Sequence, residues 1–258
     1  MTALQGVRAP VLEGTRTPFL RLVRVELRKQ LDTRASRWIL AVIALVTLAA
    51  AALSLWILEP AGLTFRTLSD MTSAGWGMLL PVIGVLAATS EWTQRTGLQT
   101  FVLEPRRTLV NLAKLVSALL VGLAMAAATF AAAAIANLVG IAAFDGDGSW
   151  ALEPTYVVGI LASMAVYVAM GVGLGLSLLS TPLAIVAFIV LPIVFSTLAL
   201  VPWLADIVPW VDIGGALLPI IEGSPSGEEW ARFAVSAAAW CALPLAIGLW
   251  RTARREVA

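Results

Sequence analysis

The sequence predicts an all-α integral membrane protein with six transmembrane helices, an N-terminal amphipathic interfacial helix, both termini cytoplasmic, and short re-entrant or interfacial helices in the last outside loop. Three observations predict it. The mean hydropathy is +0.91 with 13% charged residues, far outside the range of soluble domains. Six windows, roughly 38–58, 71–90, 115–143, 155–179, 182–204 and 232–250, contain no Asp, Glu, Lys, Arg or His apart from Arg232 at the edge of the last, and about 20 apolar residues suffice for a helix to cross a bilayer. The charges between these windows are unevenly divided by sign.

Residues 1–37 form a basic cytoplasmic leader. The first apolar run starts only at Trp38, and the short basic stretch, brief apolar run and small-residue cleavage site of a secretory signal are missing, so the first span is expected to be retained. Within the leader an amphipathic helix is expected over about 18–32: Thr17 precedes Pro18 at a plausible first turn, and Leu20, Val23, Leu27 and Leu31 recur along one stripe. Arg21, Arg28 and Lys29 face away from that stripe, toward anionic headgroups.

The transmembrane domain runs over 38–250 and the basic cytoplasmic tail over 251–258. An even number of spans puts the leader, the 91–114 connector, the 178–182 turn and the tail on one side. That side carries all of the 17 basic residues except Arg66 and Arg232. The opposite side holds Glu59, Asp70, Asp145, Asp147, Glu153, Asp206, Asp212, Glu222, Glu228 and Glu229. The basic side is therefore expected to be cytoplasmic. Tryptophans 38, 56, 150, 203, 230 and 250 fall near span ends, where an aromatic belt sits.

Inside the spans, Pro81, Pro192 and Pro244 predict kinks. Gly171 and Gly175 in "GVGLG" have the spacing of a close-packing patch, not a nucleotide fingerprint, since no strand–turn–helix surrounds them. Cys241 is the only cysteine and reads as a packing residue. The last outside loop, 205–231, combines Pro and Gly with Trp210, Leu217, Leu218, Ile220 and Ile221, which predicts short helices shielded by protein.

No catalytic residue and no metal set is legible. There is no His, no cysteine pair and no phosphate loop, and no nucleic-acid partner is implied. The empty spans also disfavour a proton-driven carrier, whose intramembrane ionisable groups are costly and persist where function needs them. An energy source would have to be another polypeptide.

The connector "SEWTQRTGLQTFVLEPRRTLVNLAK" concentrates the chain's polar chemistry. A short helix is expected over Leu98–Leu103, ending before Pro105. Read alone, Arg106, Arg107 and Lys114 are equally well topology anchors and Glu91 an exposed carboxylate. The spacing Glu91, Gly97, Pro105-Arg106-Arg107, Lys114, together with the leader helix and the order of spans, resembles the permease subunit of a type-2 ABC (ATP-binding cassette) transporter. The likeness of layout extends from about Phe19 to Arg251, and the sequence departs from it in having Leu98 where Thr commonly follows the glycine.

The resemblance implies a permease without an ATPase site of its own, paired with a second permease copy or a different chain, and served by cytoplasmic ABC ATPase subunits that bind ATP and Mg. It implies that the connector helix couples to the ATPase, with Glu91, Arg95, Gly97, Pro105, Arg106 and Arg107 at that contact or tying the connector to the leader helix. It nominates Met78, Phe188, Phe195, Ser196 and Thr197, on spans two and five, for the substrate pathway. The expected activity is efflux of a drug, antibiotic, lipid or other amphiphile across a plasma membrane, and the Arg/Ala-rich, Lys-poor composition points to a bacterial one. A stand-alone carrier or channel and a non-transporting structural or immunity protein are the alternatives.

Overall fold

The structure is a computed structural model that describes residues 17–94, 96–223 and 225–255. Among these the chain is helical, without strands. Helix α1 (Phe19–Asp32) carries a long polar face and stops at Thr33. Thr33 is extended, and its hydroxyl accepts a hydrogen bond from the Ser36 backbone at 3.3 Å, so one residue ends α1 and caps α2 (Arg34–Ile57). After a loop come α3 (Phe65–Ser73) and α4 (Trp76–Thr93), inclined by 50° across a short break. The expected kinks at Pro81 and Pro192 leave α4 and α8 (Thr181–Thr197) as single helices. The 50° bend lies between Ser73 and Trp76, where a Cβ on Gly75 would lie 3.1 Å from a Val46 methyl group.

Helix α5 (Gly97–Leu103) leads into α6 (Arg107–Ala143), a helix of 37 residues. The third span was expected from residue 115. The helix begins eight residues earlier, at Arg107, where Arg107, Asn111 and Lys114 find partners inside the protein, so Lys114 lies within the helix. Then follow α7 (Pro154–Leu178) and α8, with α9 (Ile213–Glu222) in the last connecting loop. Helices α10 (Gly227–Ala237) and α11 (Leu243–Arg254) are joined by a π-helical turn over Ala238–Ala242, just ahead of Pro244. Such a turn accommodates the hydrogen bond that a proline removes.

Among the described residues, five units are long and apolar enough to cross a membrane: α2, α6, α7, α8 continued to Leu200, and α10 to α11. The bent pair α3–α4 makes a sixth. The broad exposed apolar faces, including Leu45, Leu48 and Leu53 on α2 and Leu183, Val186 and Val190 on α8, are consistent with a multi-pass membrane protein.

Helix α7 is the hub, packed on α4, α6, α8, α9 and α11. Its glycines permit this. A Cβ on Gly171 would run into the Pro81 carbonyl of α4, one on Gly175 would lie 2.7 Å from Ala88 Cβ, and one on Gly173 would lie 3.1 Å from Leu245 N of α11. The sequence patch thus serves two neighbours on opposite faces, as small residues do where backbones approach closely. Cys241 is buried against α7, its Sγ 3.4 Å from the Val166 carbonyl. The 205–231 loop folds as expected into a short helix: Asp212 caps α9, Gly223 ends it at φ +82°, and Ile213, Leu217 and Ile220 are buried on the bundle.

Candidate functional site

At the end of the bundle where α1, the C-terminal end of α4, α5 and the start of α6 meet, four charges close a ring. Lys29 Nζ is 2.7 Å from Glu26 Oε1 and 2.7 Å from Glu91 Oε1. Lys114 Nζ is 2.9 Å from Glu26 Oε2 and 3.2 Å from Glu91 Oε2. Each carboxylate gives one oxygen to each lysine, and the ring is neutral. Glu26, Glu91 and Lys114 are 4%, 3% and 1% exposed, so these are buried charges whose desolvation is tolerable only because each is paired twice. Burial disfavours the Lys29 cation, but the carboxylates of Glu26 and Glu91 outweigh that cost and raise its pKa.

The ring holds four elements at once. Glu26 and Lys29 come from α1, Glu91 from α4 and Lys114 from α6. Thr100 of α5 donates its hydroxyl to Glu91 Oε1 at 2.8 Å. Gln30, one turn beyond Glu26, donates to Ser117 Oγ at 2.6 Å. The buried face of α1 is therefore Val23, Glu26 and Gln30, with Leu27 half-buried, while Leu20 and Leu31 of the expected apolar stripe are exposed. The α1 stripe is corrected accordingly: the helix docks on the protein through ion pairs and amides as much as through leucines. A crevice of about 590 Å³ opens beside the ring between α1 and α5, lined by Arg28, Asp32, Gln94 and Gln99 among others.

The two connector arginines have separate tasks. Arg106 pairs with Glu104, its Nε 2.7 Å from Oε1, and its Nη2 donates to the Thr17 carbonyl at 2.8 Å, fixing the start of α1. The Arg106 guanidinium holds the Glu104 carboxyl down at about 2. Arg107 lies over the Phe101 ring, 4.9 Å from its centroid, and donates to the carbonyls of Thr252 and Arg255 at the end of α11. A guanidinium there satisfies orphan carbonyls and the negative end of the helix dipole. Asn111 adds a bond to Thr252 Oγ1 at 2.8 Å. Gly97 is buried at the start of α5, Pro105 follows its end, and Arg95 lies outside the described residues.

One face of α5 has no partner among the described residues. Phe101 is buried and packs at 6.2 Å against Trp92, whereas Leu98, Val102 and Leu103 are 51%, 70% and 83% exposed.

The nominated pathway residues divide. Met78, Phe188 and Ser196 line one groove of about 410 Å³ between α4, α7, α8 and α9. Phe195 packs edge-on against Trp240 with centroids 5.5 Å apart. The Ser196 and Thr197 hydroxyls bond back to the Ile193 and Val194 carbonyls at 3.0 and 2.8 Å.

Sequence reasoning missed Glu26, Gln30 and Thr100 and left Lys114 open between a topology anchor and a member of the connector spacing. A usable signal existed: Glu26 and Gln30 lie three and seven residues after Val23, polar residues on the face that the apolar periodicity marks as buried. Among the described residues no group of three His, Cys, Asp or Glu side chains could hold a metal ion. Comparison with known proteins found no family model that matches the chain and no curated protein with significant similarity to it.

Proposed function

We propose that the chain is a permease subunit of an ATP-driven ABC exporter, powered by separate cytoplasmic ATPase subunits and working beside a second permease copy or a related chain in a bacterial plasma membrane. The basic end of the bundle, with both termini, faces the cytoplasm in this reading, and the α9 segment covers the outer side.

The observation that supports it best is the mechanical continuity at the ring. A short helix, α5, presents Leu98, Val102 and Leu103 outward and is fastened through Thr100 and Glu91 to α4, α6 and α1. A push on α5 from a soluble partner would be delivered to several helices together, because paired buried charges cannot separate without stranding a charge. The ionisable residues of the spans lie toward their ends, and the long apolar stretches between them carry none, which in this reading favours an external drive over a proton-coupled one. ATP and Mg belong to the partner in this scheme, and the substrate is an amphiphile.

The test is reconstitution with the ATPase subunit that co-purifies with the chain. Leu103→Glu on the exposed face of α5 leaves the fold intact and is expected to lower ATPase binding and substrate-stimulated hydrolysis about tenfold. Glu91→Ala, and Arg106→Ala with Arg107→Ala, are expected to uncouple hydrolysis from transport. Undiminished coupling in all three variants removes the role given to α5, and ion-driven transport by the purified chain alone establishes a carrier instead.

A further inference from the structure

The groove that collects Met78 and Phe188 is otherwise lined by Tyr167, Met170 and Ile189, so its wall is apolar, aromatic and thioether. Asp212 stands at its end and also lines an adjoining pocket of about 260 Å³, shared at Ser196. Asp212 forms no ion pair among the described residues. Its Oδ1 accepts a hydrogen bond from the Gly214 backbone at 3.2 Å. The one basic side chain in the adjoining pocket, Arg232, already pairs with Glu228 at 2.6 Å, and Glu229 there is engaged by the Ser226 backbone at 2.6 Å. The groove proper contains no basic residue.

From this we infer that the groove binds amphiphiles bearing a single positive charge, the apolar body lying against Met78, Tyr167 and Phe188 and the cation beside the Asp212 carboxylate. Three physical terms favour that class. Apolar surface buried in the groove supplies the general attraction. An unpaired carboxylate at the edge of an apolar wall attracts a cation more strongly than it would in bulk water. Aromatic faces add a cation–π contribution, which neutral or anionic amphiphiles do not receive. An anionic amphiphile in the groove would meet the Asp212 charge with no basic residue of the groove wall to offset it. The inference rests on the permease reading for its purpose, and it narrows that reading from amphiphiles in general to cations.

The test uses the full chain in lipid nanodiscs without any ATPase and compares tetraphenylphosphonium with tetraphenylborate, ions of similar size and opposite charge. The wild-type protein is expected to bind the phosphonium at least about tenfold more tightly than empty discs do and more tightly than the borate. Asp212→Asn keeps the cap of α9, since Asn caps as well as Asp, and is expected to weaken phosphonium binding about tenfold while leaving borate unchanged or improved. Met78→Trp, filling the groove from an exposed position, is expected to weaken phosphonium binding as well. Equal binding of the two ions, phosphonium binding unaffected by Asp212→Asn, or no binding of either ion because a second copy covers the groove, overturns the inference. Binding is read without nucleotide, so failure of ATP-driven transport refutes the permease reading separately.

Discussion

Lys114 Nζ lies 2.9 Å from Glu26 Oε2, joining residues 88 apart in sequence through side chains that are almost wholly shielded from solvent. With Lys29 and Glu91 completing the ring, no member can be removed without leaving an uncompensated charge. Lys114→Met is therefore expected to destabilise the protein by about 3 kcal/mol, read as a lower thermal midpoint in detergent. Lys114→Met combined with Glu26→Gln restores neutrality and is expected to recover at least half of the loss. Simple additivity of the two substitutions argues against a closed ring.

Close approach of α4 and α7 gives a second expectation. Gly171→Ala sets a methyl group against the Pro81 carbonyl, which has no free direction to move, and overpacking of this kind costs about 1–3 kcal/mol. Gly227, in the first turn of α10, has nothing within 4 Å of a Cβ, so Gly227→Ala is expected to be neutral or stabilising by up to about 1 kcal/mol through helix propensity. Thermal unfolding of both variants checks the contrast, and a tolerant Gly171 contradicts the packing described.

The Glu104–Arg106 pair predicts an acid response. Glu104 has a folded pKa of about 2 against an ordinary value of 4.5. A carboxyl depressed on folding contributes stability that is fully present above the ordinary value and is lost as pH falls through the folded value. Stability should decline between about pH 5 and 2, and Glu104→Gln should flatten that part of the profile. Unfolding midpoints measured across this range decide it: identical slopes in the two proteins dismiss the pair as a contributor.

Arg107 makes a local prediction. Its guanidinium serves the Thr252 and Arg255 carbonyls, so Arg107→Ala should loosen the last turn of α11 while leaving the distant end of the bundle unchanged. Hydrogen exchange of amides around 248–255 is expected to accelerate about tenfold, the equivalent of about 1.4 kcal/mol. Unaltered protection there means that the tail carbonyls are served by solvent.

The sequence made some of the site legible. Gly97 to Leu103, Pro105 and the paired arginines announce a short helix set between charged ends, and that helix is α5. The spacing of Gly171 and Gly175 announces close packing. What it left open was partnership. Arg106, Arg107 and Lys114 read equally well as topology anchors and Glu91 as an exposed carboxylate, because a charge on a connector has many possible neighbours and local periodicity says nothing about which of them is near. Arg106 and Arg107 are adjacent in sequence yet reach opposite ends of the chain, Thr17 and Thr252.

Composition and hydrophobic run length by themselves determined the helical class, the apolar segments that can cross a bilayer and their approximate limits, because backbone hydrogen bonding in lipid leaves a continuous apolar helix as the main local solution. Only the tertiary structure decided that a bend divides α3 from α4, that α6 starts inside the connector, and that Glu26, Lys29, Glu91 and Lys114 share one closed ring. Those features depend on contacts between residues far apart in sequence. A buried charge is stable only where the fold delivers its counter-charge, and that delivery is a property of the assembled bundle.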